Sequence, residues 1–310
     1  MTTTVLAAGY GGPEVLVLQD VELPALTDGQ VLISVRAAGT NPFDYKVYSG
    51  AMGADPAALP MPLGLEVAGV VAEVAPGATG YSGALSVGDE VVATLARGGY
   101  AEKVIADAEN VGHKPESLSF EEAAGLLLVG GTAWHLLTNT SVGKGDTVLI
   151  NGAAGGVGLL AVQLAVARGA FVIGTASPVR HDQLRRYGAT PVAYGPGLAD
   201  RVRAIGPVDA ALDLVGTDEA LDTSVELVND RSRIATIAGF GRAGELGIAA
   251  LTGADGGQAI RDAARPELLA LARDGRLEIT IDRVFPLDEA ADAHRYLQAG
   301  HAHGKVVLVP

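Results

Sequence analysis

The sequence predicts an α/β chain of two domains: a doubly wound parallel sheet, and a barrel-like antiparallel β domain that the C-terminal tail completes. Three observations predict it. Up to about residue 118, short runs rich in Val, Ile and Ala are punctuated by Gly, Pro and Asp, the texture of antiparallel strands and turns. From Thr147, buried-type apolar runs alternate with helical segments, which requires parallel strands joined by right-handed crossovers. Residues 277–310 then return to the texture of the first region. At 310 residues the chain is long for a single core. The expected divisions are 1–120 for the first part of the β domain, 121–262 for the parallel domain and 263–310 for the returning segment.

In the first region, strands are expected at 31–39 (VLISVRAAG), 67–75 (VAGVVAEVA), 88–95 (GDEVVATL) and 100–106 (YAEKVIA). ATGYSGALSVGDE (78–90) is expected as a surface loop. SFEE has the S-x-x-E form in which Ser119 and Glu122 satisfy each other's free backbone donors, and it opens a long apolar helix. Trp134 and His135 lie on that helix, and Trp134 is expected to pack in the core. Strand and helix then alternate: TVLI with a helix at 156–168, AFVIG with one at 179–187, VDAALDLVG with one at 218–228, and finally RIATIAGF. After Phe240 a Gly-rich connection is expected to lead to one more strand, ELGIAAL (245–251), and then to a helix over 265–275.

Composition narrows the function. Apolar residues make up 48% and charged residues 19%, an ordinary globular balance. A formal charge of −14, with no clustered Lys or Arg, opposes binding to nucleic acid or to an anionic membrane. The absence of cysteine excludes disulfides, thiolate catalysis and sulfur-ligated zinc. MTTTVLAAGYGGPE has no basic n-region, and the longest apolar run falls short of the roughly 20 residues a bilayer span needs. The expectation is a soluble, cytoplasmic protein.

The stretch NGAAGGVG joins a strong strand to a strong helix, the context of a phosphate-binding turn. Aligned on Gly155 and Gly158, the first glycine of G-x-G-x-x-G is replaced by Ala153. Ala154, Gly155, Gly156 and Val157 would present backbone to a pyrophosphate at the helix N-terminus, and Gly158 would let the helix pack against the sheet. The alternative is a turn that only packs a helix tightly. An NAD-binding domain usually has Asp or Glu about 20 residues further on. Here Ser177 stands in that region with Arg180 beyond it, and no acid comes before Asp182. A hydroxyl and a guanidinium suit a 2′-phosphate, so the expected cofactor is NADPH. Tyr194 is expected to cover the same pocket. In the bland reading, Arg180 is a solvated first-turn residue.

AAGTNPFDYKVYSG (37–50), PLGLEVAGVV (62–71), VGDEVV (87–92), NGAAGGVG and GKVVL (304–308) stand in an order that resembles the medium-chain dehydrogenase/reductases, nearest their zinc-free quinone oxidoreductases. Polyketide-type enoyl reductases are near relatives of that group. The resemblance implies a GroES-like β domain, a Rossmann domain, a cleft between them, and often a dimer that pairs Rossmann sheets through a strand such as ELGIAAL. Where the alcohol dehydrogenases of that superfamily hold zinc, this sequence has Asn41 and Leu65, although Glu66 remains. No metal is therefore expected.

What remains is hydride transfer from NADPH to a quinone or an α,β-unsaturated carbonyl. Asn41 is expected to donate to the acceptor oxygen or to hold the nicotinamide ribose; otherwise it serves its own turn. Asp44 either orients that loop or caps it. Lys46 stands where the family often has tyrosine, flanked by Tyr45 and Tyr48, and is a candidate acid or oxyanion partner. Thr132, in VGGTAW, resembles the family's residue near the nicotinamide, and Val215, Ala238, Gly239 and Phe240 stand at the C-terminal ends of later strands, where a doubly wound sheet binds its ligand. His301 and His303 have metal-pair spacing but no third ligand nearby. Two other functions remain open: enoyl-thioester reduction, suggested by TASPVRHDQLRR, and NADPH binding without turnover.

Overall fold

Strand alternation and helix periodicity sort the chain into two units in the computed structural model, which describes every residue except Ala96 and His301. One unit comprises residues 1–128 and 269–310, the other 129–268. The division falls inside two helices, Leu127–Asn139 and Gly257–Arg273.

The first unit is predominantly β. Its seven-stranded sheet runs in the order Val111–His113, Glu90–Thr94, Glu66–Val74, Gln30–Gly39, Lys305–Val309, Ile281–Pro286, with Lys103–Asp107 also pairing with Gln30–Gly39. A three-stranded sheet places Thr2–Ala7 between Leu16–Val21 and Met61–Pro62. The C-terminal tail enters as a parallel pair, Ile281–Pro286 with Lys305–Val309, connected by the helix Ala290–Gln298. Its last strand then runs antiparallel to Gln30–Gly39. The β domain is thus completed by the C-terminal tail. The core collects the inward residues of these strands, among them Val31, Ile33, Val67, Val91, Val111 and Leu308. The stretch 78–90 is not a featureless loop: Thr79–Gly80 and Gly83–Ala84 form a small hairpin.

The second unit holds a six-stranded, all-parallel sheet in the order Ala189–Val192, Phe171–Thr175, Thr147–Asn151, Ala210–Asp213, Ile234–Thr236, Ala249–Ala250. Val148, Leu149 and Ile150 are fully buried, as a strand covered on both faces demands. The strand order reverses beside Thr147–Asn151, the position at which doubly wound sheets bind their ligands, at the carboxyl ends of the central strands.

Three expectations need correction. The long helix after Ser119 is broken at Gly125 into Phe120–Ala124 and Leu127–Asn139, although the Ser119–Glu122 capping box forms as expected. ELGIAAL is not a full strand: Phe240–Leu246 is helical, Gly247 ends it at φ 66°, and only Ala249–Ala250 joins the sheet. Ala243 packs into the core and stabilises the short helix, while the left-handed position that glycine tolerates turns the chain back to the sheet edge. Trp134, expected in the core, is only half-buried, with the Arg168 guanidinium 4.8 Å from its ring centroid.

Candidate active site

In the second unit, the turn between Thr147–Asn151 and the helix Gly156–Ala167 is built for close approach. A Cβ on Gly158 would stand 2.3 Å from the Gly152 oxygen and 2.6 Å from the Ala153 carbonyl carbon, so glycine alone lets the helix seat on the turn. Ala153 is buried, and its own Cβ fills the space that a side chain at Gly174 would need, 2.8 Å away. Alanine at the first fingerprint position is therefore accommodated by a glycine on the next strand. Thr175 fastens the turn: its hydroxyl accepts from Gly152 N at 3.0 Å, and its carbonyl from Ala153 N at 3.0 Å. Gly155 is the N-cap of the helix and brings no side chain to it, so the first-turn N–H groups of Gly156 and Val157 remain unused by a cap.

The loops after the neighbouring strands close on this turn. Val215 Cγ1 occupies the position beside Gly152, 2.6 Å from where a Cβ would lie. Gly216 lies against the backbone of Ala238 and Gly239 with no room for a side chain. Buried Asp213 sets this arrangement, accepting from Val215 N, Gly216 N and the Thr236 hydroxyl at 2.6–3.2 Å. The Thr236 oxygen in turn accepts from Ala238 N and Gly239 N. Val215 and Phe240 are left substantially exposed. Beyond Phe171–Thr175, Ser177 begins the short turn Pro178–Arg180, and Arg180 is half-buried at its end. Asp182, the nearest acid, is exposed and paired with Arg185 at 2.6 Å. Tyr194 follows Ala189–Val192 and is exposed. Thr132 is half-buried on the helix Leu127–Asn139.

The sheet's topology thus gathers Ala154–Val157, Ser177, Arg180, Tyr194, Val215 and Ala238–Phe240 at one end of the parallel strands. Asn151, Thr175, Asp213 and Thr236, which hold the turns in place, escaped the sequence reading. A polar residue closing an otherwise apolar strand is the signal that marks each of them.

In the first unit, Asn41 and Lys305 lie 264 residues apart but share a buried cluster with Glu66. The Lys305 ammonium donates to Asn41 Oδ1 (2.7 Å), Glu66 Oε1 (2.8 Å) and the Thr40 carbonyl (2.8 Å), which uses all three of its protons. Asn41 Nδ2 donates to Glu66 Oε1 at 3.2 Å, and Leu128 N donates to Glu66 Oε2 at 2.9 Å. Asn41 retains one amide N–H. Gly39 makes the cluster possible, since a Cβ there would lie 2.6 Å from Glu66 Oε1.

Asn41 also caps the helix Pro42–Tyr48, with Asp44 Oδ2 accepting its backbone N–H at 2.8 Å. Asp44 therefore both orients and caps the loop. It is buried, and desolvation raises its pKa to about 6 against the lowering bonds from Tyr100 and Asn41. Lys46 and Tyr45 sit on this helix, half-buried, and burial pushes the Tyr45 phenol up, which makes it harder to deprotonate. Tyr48 is fully buried and hydrogen-bonded to His294, inside the core instead of at a reacting surface. Of the two histidines with metal-pair spacing, His301 lies outside the described residues.

A parallel dinucleotide-type sheet and a GroES-type β unit in one chain define the medium-chain dehydrogenase/reductase class. The model of the alcohol dehydrogenase GroES-like domain matches residues 27–116, and that of the zinc-binding dehydrogenase matches residues 181–308. The chain is 34% identical over 336 residues to a quinone oxidoreductase of Pseudomonas aeruginosa, covering 100% of both. It is 30% identical over 315 residues to the chloroplastic NADPH-dependent alkenal/one oxidoreductase of Arabidopsis thaliana, covering 97% of this chain and 78% of that one. It is also 35% identical over 298 residues to a polyketide synthase of Streptomyces halstedii, covering 91% of this chain and 5% of that protein. The solved quinone oxidoreductase of Coxiella burnetii superimposes with a TM-score of 0.85 at 33% identity, covering 100% of this chain and 99% of that one. The Escherichia coli quinone oxidoreductase complexed with NADPH gives 0.87 at 27% identity, covering 99% and 100%. The chain belongs to the quinone oxidoreductase family of the medium-chain dehydrogenase/reductases.

One family model carries zinc in its name, and the residues here do not fit that ion. Leu65 has no donor atom, the Asn41 oxygen accepts from an ammonium, and Glu66 is engaged by Lys305, Asn41 and Leu128. Among the described residues, no group of three or more metal-binding side chains is placed to hold a metal ion. Among those residues, no helix is long and apolar enough to cross a membrane.

Proposed function

We propose that the chain reduces quinones or α,β-unsaturated carbonyls with NADPH. The observation that carries this reading is an uncapped helix N-terminus behind a glycine turn, combined with Ser177 and Arg180 where an NAD-specific domain places a carboxylate. Kinship with the P. aeruginosa, C. burnetii and E. coli quinone oxidoreductases and with the Arabidopsis enzyme supports it.

NADPH, when bound, supplies the hydride. The backbone of Ala154, Gly155, Gly156 and Val157 holds the pyrophosphate, charge-assisted at a helix N-terminus. Ser177 and Arg180 hold the 2′-phosphate, with Tyr194 covering it. Thr132, Val215, Ala238, Gly239 and Phe240 orient the nicotinamide. Asn41 has a single unspent amide N–H, which it offers to the acceptor oxygen or to the cofactor ribose. Lys46 is the choice for the proton or oxyanion partner, because the Tyr45 phenol is held above its ordinary pKa. We read the chain as a cytoplasmic homodimer whose sheets pair along Ala249–Ala250, the edge strand with one side unpaired.

The test is turnover of purified protein with NADPH and with NADH against quinones, enones, enoyl thioesters and alcohols. Quinone or enone reduction preferring NADPH is expected. Thioesters as the sole acceptors would move the assignment to enoyl-thioester reduction, and NADPH binding without turnover would reduce it to a nucleotide-binding protein.

A further inference from the structure

Behind the helix that carries Asn41 runs a chain of four buried polar side chains. Tyr48 Oη lies 2.9 Å from His294 Nδ1, His294 Nε2 lies 3.1 Å from Tyr100 Oη, and Tyr100 Oη donates to Asp44 Oδ2 at 2.8 Å. All four residues are almost wholly removed from solvent. The His294 ring stacks on Tyr48 at 5.5 Å between centroids and meets Tyr100 edge-on at 5.6 Å.

Donor and acceptor inventory fixes the direction of this chain. Tyr100 has one proton and spends it on the Asp44 carboxylate, so its oxygen accepts from His294 Nε2–H. Nδ1 then carries the lone pair and accepts the Tyr48 hydroxyl proton. Burial favours this neutral imidazole, holding its pKa down to about 4. Reversed, the chain would need a proton on Asp44 and would leave the Tyr48 hydroxyl proton without an acceptor.

We propose that His294, as the Nε2–H tautomer, is a positioning residue for the reaction. Through Tyr100 it aims the Asp44 carboxylate at the backbone N–H of Asn41 and so fixes the turn that presents the Asn41 amide. This rests on the role given to Asn41 under the proposed function. The side chain of Asn41 is clamped by Lys305 and Glu66, and its main chain by Asp44, so its remaining N–H has a defined direction. His294 needs no contact with substrate to matter, because misplacement of a donor is costly in kcat.

Two tyrosines at different places in the chain test this. Tyr100→Phe and Tyr48→Phe each delete one buried hydroxyl and keep a ring; Tyr100→Phe strands both Asp44 and His294 Nε2–H and should cost more stability, so kcat is compared at a temperature where both variants are folded. Only Tyr100→Phe disconnects Asp44. It should lower kcat roughly tenfold with little change in the KM for NADPH, while Tyr48→Phe stays within roughly twofold of wild type.

The pH profile adds a second reading. Asp44 is faced by Tyr100, Lys305 and Glu66, with Tyr48 nearby, and the Tyr100 bond is among the influences that lower its pKa. Deleting that hydroxyl should move the acid limb of kcat upward from near pH 6, and deleting the Tyr48 hydroxyl should not move it. His294→Leu, which leaves the Tyr100–Asp44 bond but removes the group that aims it, should lower kcat as Tyr100→Phe does, and His294→Gln, which keeps an N–H near the Nε2 position, should recover most of it. Equal kcat losses in the two tyrosine variants, an acid limb that stays put in Tyr100→Phe, or an unchanged kcat in His294→Leu would overturn the proposal. So would imidazole 15N shifts showing the proton on Nδ1. A wild-type protein with the Nε2–H tautomer but no turnover would sink the functional reading, and with it the positioning role, while leaving the tautomer established.

Discussion

The glycine turn of the second unit and the Asn41 cluster of the first are built from different material. The turn works through its backbone: Gly152 and Gly158 clear space within the fold, Gly155 opens the helix without a side-chain cap, and the groups offered to a ligand are N–H donors. The Asn41 cluster of the first unit works through side chains, with an amide, a carboxylate and an ammonium neutralising one another out of water. A backbone site fails when an atom is added, whereas a buried ionic site fails when one is removed. The second kind of failure is the more expensive, because the partner left behind is a desolvated charge.

The largest effect is therefore expected from Lys305→Met. It strands Glu66 in the interior and should destabilise the protein by about 3–5 kcal/mol in urea denaturation. Adding Glu66→Gln should return more than half of that loss. An undiminished loss in the double variant would mean that packing, not charge, holds the cluster. Next comes Gly158→Ala, whose Cβ meets backbone atoms that cannot rotate away. About 1–3 kcal/mol of destabilisation is expected, with NADPH binding lost. Gly155→Ala is its control: the new Cβ meets only the Gly152 oxygen, at ordinary contact distance. Stability should hold while NADPH affinity, followed by fluorescence titration, falls. Equal stability losses in the two variants would break the idea that these glycines do different jobs.

Arg180→Ala probes the one charged side chain proposed for the backbone site. NADPH affinity should drop by about 1.5–3 kcal/mol and NADH affinity stay nearly unchanged in parallel titrations. The smallest effect lies in the pH dependence of stability. His294, with its folded pKa lowered to about 4, contributes stability that is complete above about pH 6.5 and is lost as the pH falls toward 4. Asp44, raised to about 6, does the opposite: its contribution is complete below about pH 4 and is lost as the pH rises through 6. The two slopes oppose each other between pH 4 and 6. His294→Gln removes the first, so the variant should gain stability relative to wild type on acidification, on the order of 1–2 kcal/mol across that interval. Parallel denaturation curves at both pH values would show that the histidine does not titrate differently on folding.

This contrast also governs what could be read from the sequence. Backbone-built features announce themselves locally. NGAAGGVG lies between its own strand and helix, and the βα alternation from Thr147 marks out the sheet that holds it. Side-chain clusters assemble across sequence distance: nothing near Asn41 points to Lys305 or His294. A hint did exist, because His294 shares a helical face with Ala290, Ala293 and Leu297, where an apolar residue is expected. Phe240–Leu246 was hidden for the opposite reason. Its glycines lower helix propensity, and burial of Ala243 overrides them.

Lys305 carries one more consequence. It lies 239 residues after Glu66 and 264 after Asn41 in the chain, yet its ammonium neutralises the one and anchors the other. Until that strand arrives beside Gln30–Gly39, the half-formed barrel must leave Glu66 in water or hold an uncompensated charge. Ordering of the Asn41 amide therefore waits on the pairing of Lys305–Val309 with Gln30–Gly39, so a variant that cannot seat that strand keeps the whole dinucleotide fold and none of the ordered amide.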